Sequence, residues 1–171
     1  MPDYPQIVIL LGPNGVGKTT LGQMLECHFR CRFLSLERFF LDRYASYAAY
    51  RANRAAAYAA FEQHVADQVN GQTLVFEEIG LSDPAQALIG NLQRQFRVAL
   101  VGVLAPEAVC QERVARRGLD SNYPKSPAFV SDTYQRFAAN ARRYAFDREV
   151  QNSGGPPEDL AGEFSGLLPA V

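Results

Sequence analysis

Apolar residues follow two rhythms along the chain. Short, nearly continuous runs appear at Ile7 to Leu11, Arg32 to Leu36, Thr73 to Ile79, Phe96 to Leu104 and, more weakly, Arg148 to Gln151. Such runs of Val, Ile, Leu and Phe predict buried strands. Between them the spacing changes to three and four, which predicts helices. Leu21, Met24 and Leu25 mark the first. A long alanine- and tyrosine-rich helix is expected over Arg43 to Val69, closed by Asn70-Gly71. After a loop at Gly80 to Pro84, Ser82 or Asp83 caps the next helix and Pro84 takes its first turn. Pro106 opens another that runs to about Arg116, Ala128 to Tyr144 forms the next, and a short last one follows Pro156. Strands alternating with helices predict an α/β fold, a parallel sheet covered on both faces. Ligands of such sheets bind beyond the carboxyl ends of the strands.

The first strand, turn and helix carry the most specific signal. Gly12 to Thr19 fits G-x-x-x-x-G-K-[ST], the phosphate-binding P-loop, and it lies between strand and helix as that motif requires. The candidate nucleotide contacts are Gly12, Pro13, Asn14, Gly15, Val16, Gly17, Lys18, Thr19 and Thr20. Loop amides form an anion nest, and the helix start adds its dipole. Lys18 is expected to reach the β- and γ-phosphates and Thr19 to ligate Mg²⁺.

Three carboxylates fall on the same rim. Glu37 follows the second strand and is the candidate base for an acceptor hydroxyl; the other reading is a surface acid ahead of a helix. Glu77 and Glu78 end the third strand and point to opposite faces. Glu77 is favoured for the metal site. Glu78 either faces the acceptor or is a solvated acid. Arg113, Arg116 and Arg117 form one basic patch by helical spacing, with Arg116 and Arg117 the candidates for charge stabilisation and Arg142 and Arg143 weaker ones. In the long helix, Tyr44, Tyr47, Arg51, Arg54, Tyr58, Phe61 and Val65 fall on one stripe. Arg51 and Arg54 either contact an acceptor with an anionic or aromatic part or bridge to distant acids such as Glu78. His28 and His64 show no partners in the sequence and are read as structural.

Composition narrows the class. The chain has 171 residues, the size of one domain, with 47% hydrophobic and 20% charged residues. A net charge of −1 gives no footprint for nucleic acid or an anionic membrane. No apolar run approaches a membrane span. The start, MPDYPQ, shows no signal peptide, and three cysteines, an odd count, suit reduced thiols in a cytoplasm. Cys27 and Cys31 would share a helix face if the first helix ran that far; packed free thiols are the better reading than zinc.

Three stretches together resemble the small P-loop kinases of the shikimate kinase, nucleoside kinase and nucleoside monophosphate kinase group. GPNGVGKTTLGQMLECHFRCRFLSLERF is similar to the shikimate-kinase opening, VALVGVLAPEAVCQERVARRG to the group's fourth strand and arginine-bearing helix, and FDREVQNSGGPPEDLAGEF to its fifth strand, turn and last helix. The resemblance implies a single three-layer P-loop NTPase domain over 1–171, with a five-stranded parallel sheet in the order 2-3-1-4-5 and helices on both faces. It also implies ATP with Mg²⁺, an acceptor-binding helical region at about 38–71 and a mobile lid at about 113–127. The implied activity is transfer of the ATP γ-phosphoryl group to a hydroxyl of a small molecule, by a monomer or weak dimer. Two departures bear on the acceptor. Ser35-Leu36-Glu37 stands where shikimate kinases have D-x-D, and Glu78-Ile79-Gly80 where they have consecutive glycines. Thymidylate kinases carry an arginine near Glu78, and a carboxylate there repels a phosphate acceptor. A nucleoside monophosphate kinase is the alternative, and an NTPase switch the alternative of another class.

Overall fold

The computed structural model describes residues 4–117 and 126–171. Strands β1 (Ile7–Leu11), β2 (Cys31–Leu34), β3 (Thr73–Glu78), β4 (Val98–Leu104) and β5 (Arg148–Gln151) form one sheet. Its order is β2-β3-β1-β4-β5 and every pairing is parallel, as the sequence led us to expect. The helices are α1 (Lys18–His28), α2 (Leu36–Arg43), α3 (Tyr47–Ala52), α4 (Arg54–Gln68), α5 (Asp83–Gln95), α6 (Glu107–Arg117) and α7 (Pro127–Asn140).

Strand alternation divides the core into two. Ile7, Ile9 and Leu11 of β1, with Leu74 and Phe76 of β3, pack against Phe40, Tyr58, Phe61 and Leu88, so α2, α4 and α5 cover that face. Val8 and Leu10, with Val75 and Val101, pack against Leu21, Leu25 and Cys110 on the α1 and α6 side. Helix α7 joins the layers: Val130 belongs to the second core and Phe137 to the first.

Local chemistry moves several boundaries from their expected places. Strand β2 stops at Leu34 because the Ser35 hydroxyl accepts the Arg38 amide at 3.2 Å and caps α2. Glu37 therefore lies in the first turn of a helix. The single helix expected over Arg43 to Val69 is two, α3 and α4, with α2 ending at Arg43. Ser46 caps α3 through the Ala49 amide at 3.1 Å, and Asn53 both ends α3 and precedes α4, its side chain donating to the Ala49 carbonyl at 2.9 Å. The stripe from Tyr44 to Val65 is broken accordingly. Tyr50, Tyr58, Phe61 and Val65 are buried, while Tyr47, Arg51 and Arg54 are exposed. Helix α5 starts as expected, with Ser82 as cap. The helix expected to Tyr144 ends at Asn140 in a 3₁₀ turn, Ala141–Arg143, and the last helix is a 3₁₀ segment, Pro157–Phe164.

The histidines have partners. His28 Nδ1 lies 2.9 Å from the Met24 carbonyl, and His64 packs 5.0 Å from the Phe39 ring. Cys27 is exposed on α1, whereas Cys31 is buried in β2, its thiol pushed up to about 12 by burial, with the Glu26 charge adding to the rise. The two share no helix face.

Phe61 holds the acceptor-side helices to the sheet. It is fully buried and meets Phe39 at 5.2 Å and Phe76 at 5.3 Å, both edge-on. Phe61→Ala should lose about 3–5 kcal/mol of unfolding free energy in denaturant titration. A loss below about 1 kcal/mol would mean that α4 is fixed by other contacts.

Candidate active site

The loop between β1 and α1 is built around backbone that leaves no room for side chains. A Cβ on Gly12 would lie 2.4 Å from the Val103 carbonyl oxygen, and one on Gly15 would lie 2.5 Å from that of Cys110. Gly15 also has φ +88°, a left-handed conformation. Lys18 is buried, and its ammonium donates to the carbonyls of Gly12 at 2.7 Å and Pro13 at 2.9 Å. The side-chain amide nitrogen of Asn14 is buried and makes no hydrogen bond among the described residues. An unsatisfied donor in an amide-lined loop fits an anionic ligand.

The loop is braced from behind. Asn152, directly after β5, donates its amide to the Val16 carbonyl at 2.7 Å. Arg113 of α6 donates to the Asn152 side-chain oxygen at 3.3 Å and to the Val16 carbonyl at 3.3 Å. Sequence spacing grouped Arg113 with Arg116 and Arg117, but the three diverge. Arg116 is exposed and pairs with Glu112 at 2.5 Å, one turn back on the same helix. Arg117 alone of them lines the cavity described below. Arg142 and Arg143 are exposed in the 3₁₀ turn and line neither cavity. Of the expected lid, residues 118–125 lie outside the described residues.

Strand alternation separates the two acids of β3. Glu77 pairs in register with Leu10 and shares its face, toward α1. There it accepts the Thr19 hydroxyl at 2.7 Å. Glu78 pairs with Leu11 and turns to the opposite face, where Tyr58 of α4 donates to it at 2.8 Å. Its other oxygen accepts the amides of Ile79 at 2.8 Å and Gly80 at 3.3 Å. Both acids are buried, so Glu78 is not a solvated acid. Nor does it form an ion pair with Arg51 or Arg54 among the described residues: those guanidiniums lie over the Tyr47 and Tyr58 rings, at 5.9 and 6.0 Å. Burial pushes the Glu77 carboxyl above the usual carboxylate range; Lys18 and the Thr19 hydroxyl oppose the shift, and Glu37 and Glu78 add to it. A cation at this position would reverse that pressure. The Thr19 hydroxyl and one carboxylate are hard oxygen donors of the kind Mg²⁺ takes beside a nucleotide phosphate.

These groups converge on a cavity of about 220 Å³. Gly15, Gly17, Lys18 and Thr19 line it on one side, and Glu37, Arg54, Tyr58 and Arg117 are among the residues of the rest of its wall. Phe40 and Tyr50 stack at 4.6 Å within that wall. Arg51 lines a neighbouring cavity instead.

Residues 7–149 match the family model described as an AAA domain, and the chain belongs to that family. No curated protein matches it. Among solved structures it is similar to shikimate kinase from Acinetobacter baumannii in complex with shikimate, at 18% identity and TM-score 0.66, over 97% of this chain and 93% of that one. A gluconokinase from Sinorhizobium meliloti 1021 matches at 16% identity and TM-score 0.67, over 96% and 92% of the two chains. The tunicamycin resistance protein of Deinococcus radiodurans matches at 17% identity and TM-score 0.67, over 98% and 99%. The fold is that of the small P-loop kinases.

The brace is the part that motif reading missed, because Asn152 is distant from the loop in sequence and Arg113 was grouped with its helical neighbours. Asn152→Ala removes the shorter of the two side-chain hydrogen bonds to the Val16 carbonyl and takes from Arg113 its acceptor at the Asn152 oxygen. Unfolding free energy should fall by about 1–3 kcal/mol, and nucleotide affinity, measured calorimetrically, should fall with it. Unchanged affinity in the folded variant would separate the brace from the loop's binding competence.

Proposed function

We propose that this protein is an ATP-dependent kinase that transfers the γ-phosphoryl group to a hydroxyl of a small molecule. One observation carries the reading: the phosphate-binding loop and Glu37 line a single cavity of about 220 Å³, so phosphate-holding groups and an acid suited to orient a hydroxyl share one space. An NTPase switch has no use for such a chamber. The AAA domain family and the kinase fold support nucleotide binding, and the neighbouring structures include kinases of small molecules.

The roles follow from position. The loop amides and Lys18 hold the phosphates. Mg²⁺ would be held by Thr19 with Glu77 beside it, and would supply neutralisation of phosphate charge. Glu37 orients the acceptor hydroxyl. The acceptor oxygen bonds to the γ-phosphorus as the bond to the β,γ-bridging oxygen breaks; ADP leaves, and the acceptor proton passes to Glu37. Arg117 is the cavity-lining arginine of α6 placed to offset charge on the transferring group; Arg116, paired with Glu112, is not given that role. Arg54, Tyr50 and Tyr58 face the acceptor, whereas Glu78 supports Tyr58 from below. We assign the chain as one domain over 1–171, with the acceptor-binding region at about 38–71 and the lid at about 113–127. It acts in the cytoplasm as a monomer or weak dimer without nucleic acid, a reading supported by its free cysteines and net charge of −1. Among the described residues no helix is long and apolar enough to cross a membrane.

ATP consumption measured against a metabolite library tests the reading. One compound class should accelerate it; acceleration by none would favour the switch. Lys18→Ala should fold normally and lose transfer, and near-full activity in that variant would falsify the loop assignment.

Glu37→Gln distinguishes acceptor chemistry from metal binding. Transfer should fall by roughly 10²–10⁴, nearer the lower end for a loose transition state. Background ATP hydrolysis should fall far less, since water enters without being held by Glu37. Equal loss of both activities would move Glu37 to the metal site, and no loss of either would make it a surface acid.

A further inference from the structure

The phosphate-loop pattern specifies Gly12, Gly17, Lys18 and Thr19 and leaves residue 14 open. Its phosphate contacts are backbone amides, the lysine and the hydroxyl. The motif therefore asks nothing of the Asn14 side chain, and the roles derived above do not use it. Yet Asn14 lines the first cavity together with Lys18, Thr19, Glu37 and Arg117.

Its side-chain amide nitrogen is buried, and among the described residues it is the one buried side-chain nitrogen or oxygen without a hydrogen-bond partner. The polar groups around it are served: Lys18 by the Gly12 and Pro13 carbonyls, Glu77 by Thr19, Asn152 by Val16. A donor left over in such company has lost water and gained nothing, which costs the empty protein free energy. The backbone on either side of it is fixed. Pro13 has its φ set by its ring, and its carbonyl accepts the Lys18 ammonium at 2.9 Å. Gly15 has φ +88° and packs so closely on Cys110 that three backbone atoms of that residue would lie within 2.9 Å of a Cβ. Residue 14 is clamped between them, so its donor is preorganised.

The lysine indicates which phosphate the donor meets. Lys18 is the group that reaches the β- and γ-phosphates, and its ammonium rests on the carbonyl of the residue next to Asn14. Asn14 thus stands at the transfer end of the loop, in the cavity that Glu37 and Arg117 also line. We propose that the Asn14 side-chain amide is a catalytic residue that donates a hydrogen bond to the γ-phosphoryl group during transfer. Enclosed in the empty loop, the nitrogen gains its partner when the lysine moves from the carbonyls to the phosphates and the phosphoryl group seats beside it. The proposal rests on phosphoryl transfer at this site but not on the acceptor, since the same donor serves transfer to water.

The test uses Asn14→Ala in the whole chain. Affinity for Mg²⁺ and ADP, measured calorimetrically, should change by less than about twofold. Adding aluminium fluoride, which stands in for the transferring phosphoryl group, should give a complex about tenfold or more weaker than in the wild type, as loss of one hydrogen bond to a charged group requires. Background ATP hydrolysis should fall by a similar factor. Asn14→Asp keeps the shape but replaces the donor by a charged acceptor, and should lose more than Asn14→Ala. Without nucleotide, the melting temperature of Asn14→Ala should be unchanged or higher, because an unsatisfied donor has been removed. A purely structural side chain predicts the reverse: a lower melting temperature with an unaltered fluoride complex, which overturns the proposal. Equal weakening of the ADP and fluoride complexes, undiminished hydrolysis, or a wild type that forms no fluoride complex also overturns it. If the variants do not fold, the wild type decides: the Asn14 side-chain amide proton resonance should move downfield when aluminium fluoride joins Mg²⁺ and ADP, and an unmoved resonance counts against the assignment. None of these measurements needs an acceptor. A failed search for one therefore leaves this proposal standing, and acceptor-dependent transfer in an unimpaired Asn14→Ala variant leaves the kinase reading standing without it.

Discussion

The structure depends on keeping the backbone between Leu11 and Lys18 folded as a concave run of amides. Amide dipoles aimed inward repel one another unless something holds them, and a loop of that shape is not self-supporting. Here it is held from three sides. Strand β1 is bonded to β3 and β4, which fixes where the loop begins. The Val103 carbonyl lies so close to Gly12 that any side chain there would push β4 away. The Arg113–Asn152 pair ties the far end of the loop, at Val16, to α6 and to the end of β5. A local motif is thus made rigid by residues more than ninety positions downstream of it. Rigidity matters because a preorganised set of donors spends no reorganisation energy when charge develops in front of it.

The same strand geometry sorts the acids. Glu77 and Glu78 are adjacent in sequence, yet alternation sends them to different layers of the molecule. One meets Thr19 on α1; the other meets Tyr58 on α4. Two carboxylates facing the same small volume would repel each other and raise each other's proton affinity. Splitting them gives each its own partner, Thr19 for one and Tyr58 for the other, although both still border the first cavity. Tyr58 then carries a buried hydroxyl whose pKa is held far above its usual value, by burial first and by the Glu78 charge second. It stays protonated and donating, so it acts as a fixed strut.

How much of this was legible follows from how local each feature is. The P-loop reads from eight consecutive residues because its chemistry is backbone chemistry, and glycine spacing encodes backbone. The alternation of strands and helices gave the layered architecture, and register then gave the opposite facing of Glu77 and Glu78. The breaks in the long helix were less legible. Alanine and tyrosine favour continuation, and a single serine hydroxyl at Ser46 decided otherwise by capping a new helix. Divergence of the three α6 arginines could not be read at all. Spacing puts them on neighbouring positions, but Arg113 finds its partners at Gly15, Val16 and Asn152, all distant in sequence, while Arg116 pairs locally with Glu112. The cavity wall away from the loop combines α2, α3, α4 and α7, so its shape belongs to tertiary packing and not to any one pattern.

That dispersal has a functional logic. The phosphate side is compact, local and tied down at both ends, which suits a substrate whose triphosphate does not vary. The opposite side of the cavity is assembled from helices that begin at side-chain caps, at Ser35, Ser46 and Ser126. Each cap contributes about 1 kcal/mol, so the rims can shift by exchanging single residues without disturbing the sheet. The first core anchors the inner faces of α2 and α4, while Tyr47 and Arg51 of α3 and Arg54 of α4 are exposed. On the proposed kinase reading, acceptor specificity falls to residues that contribute little to folding. The fold is shared with kinases at 16–18% identity, and one fold carries many chemistries through the side chains set on it.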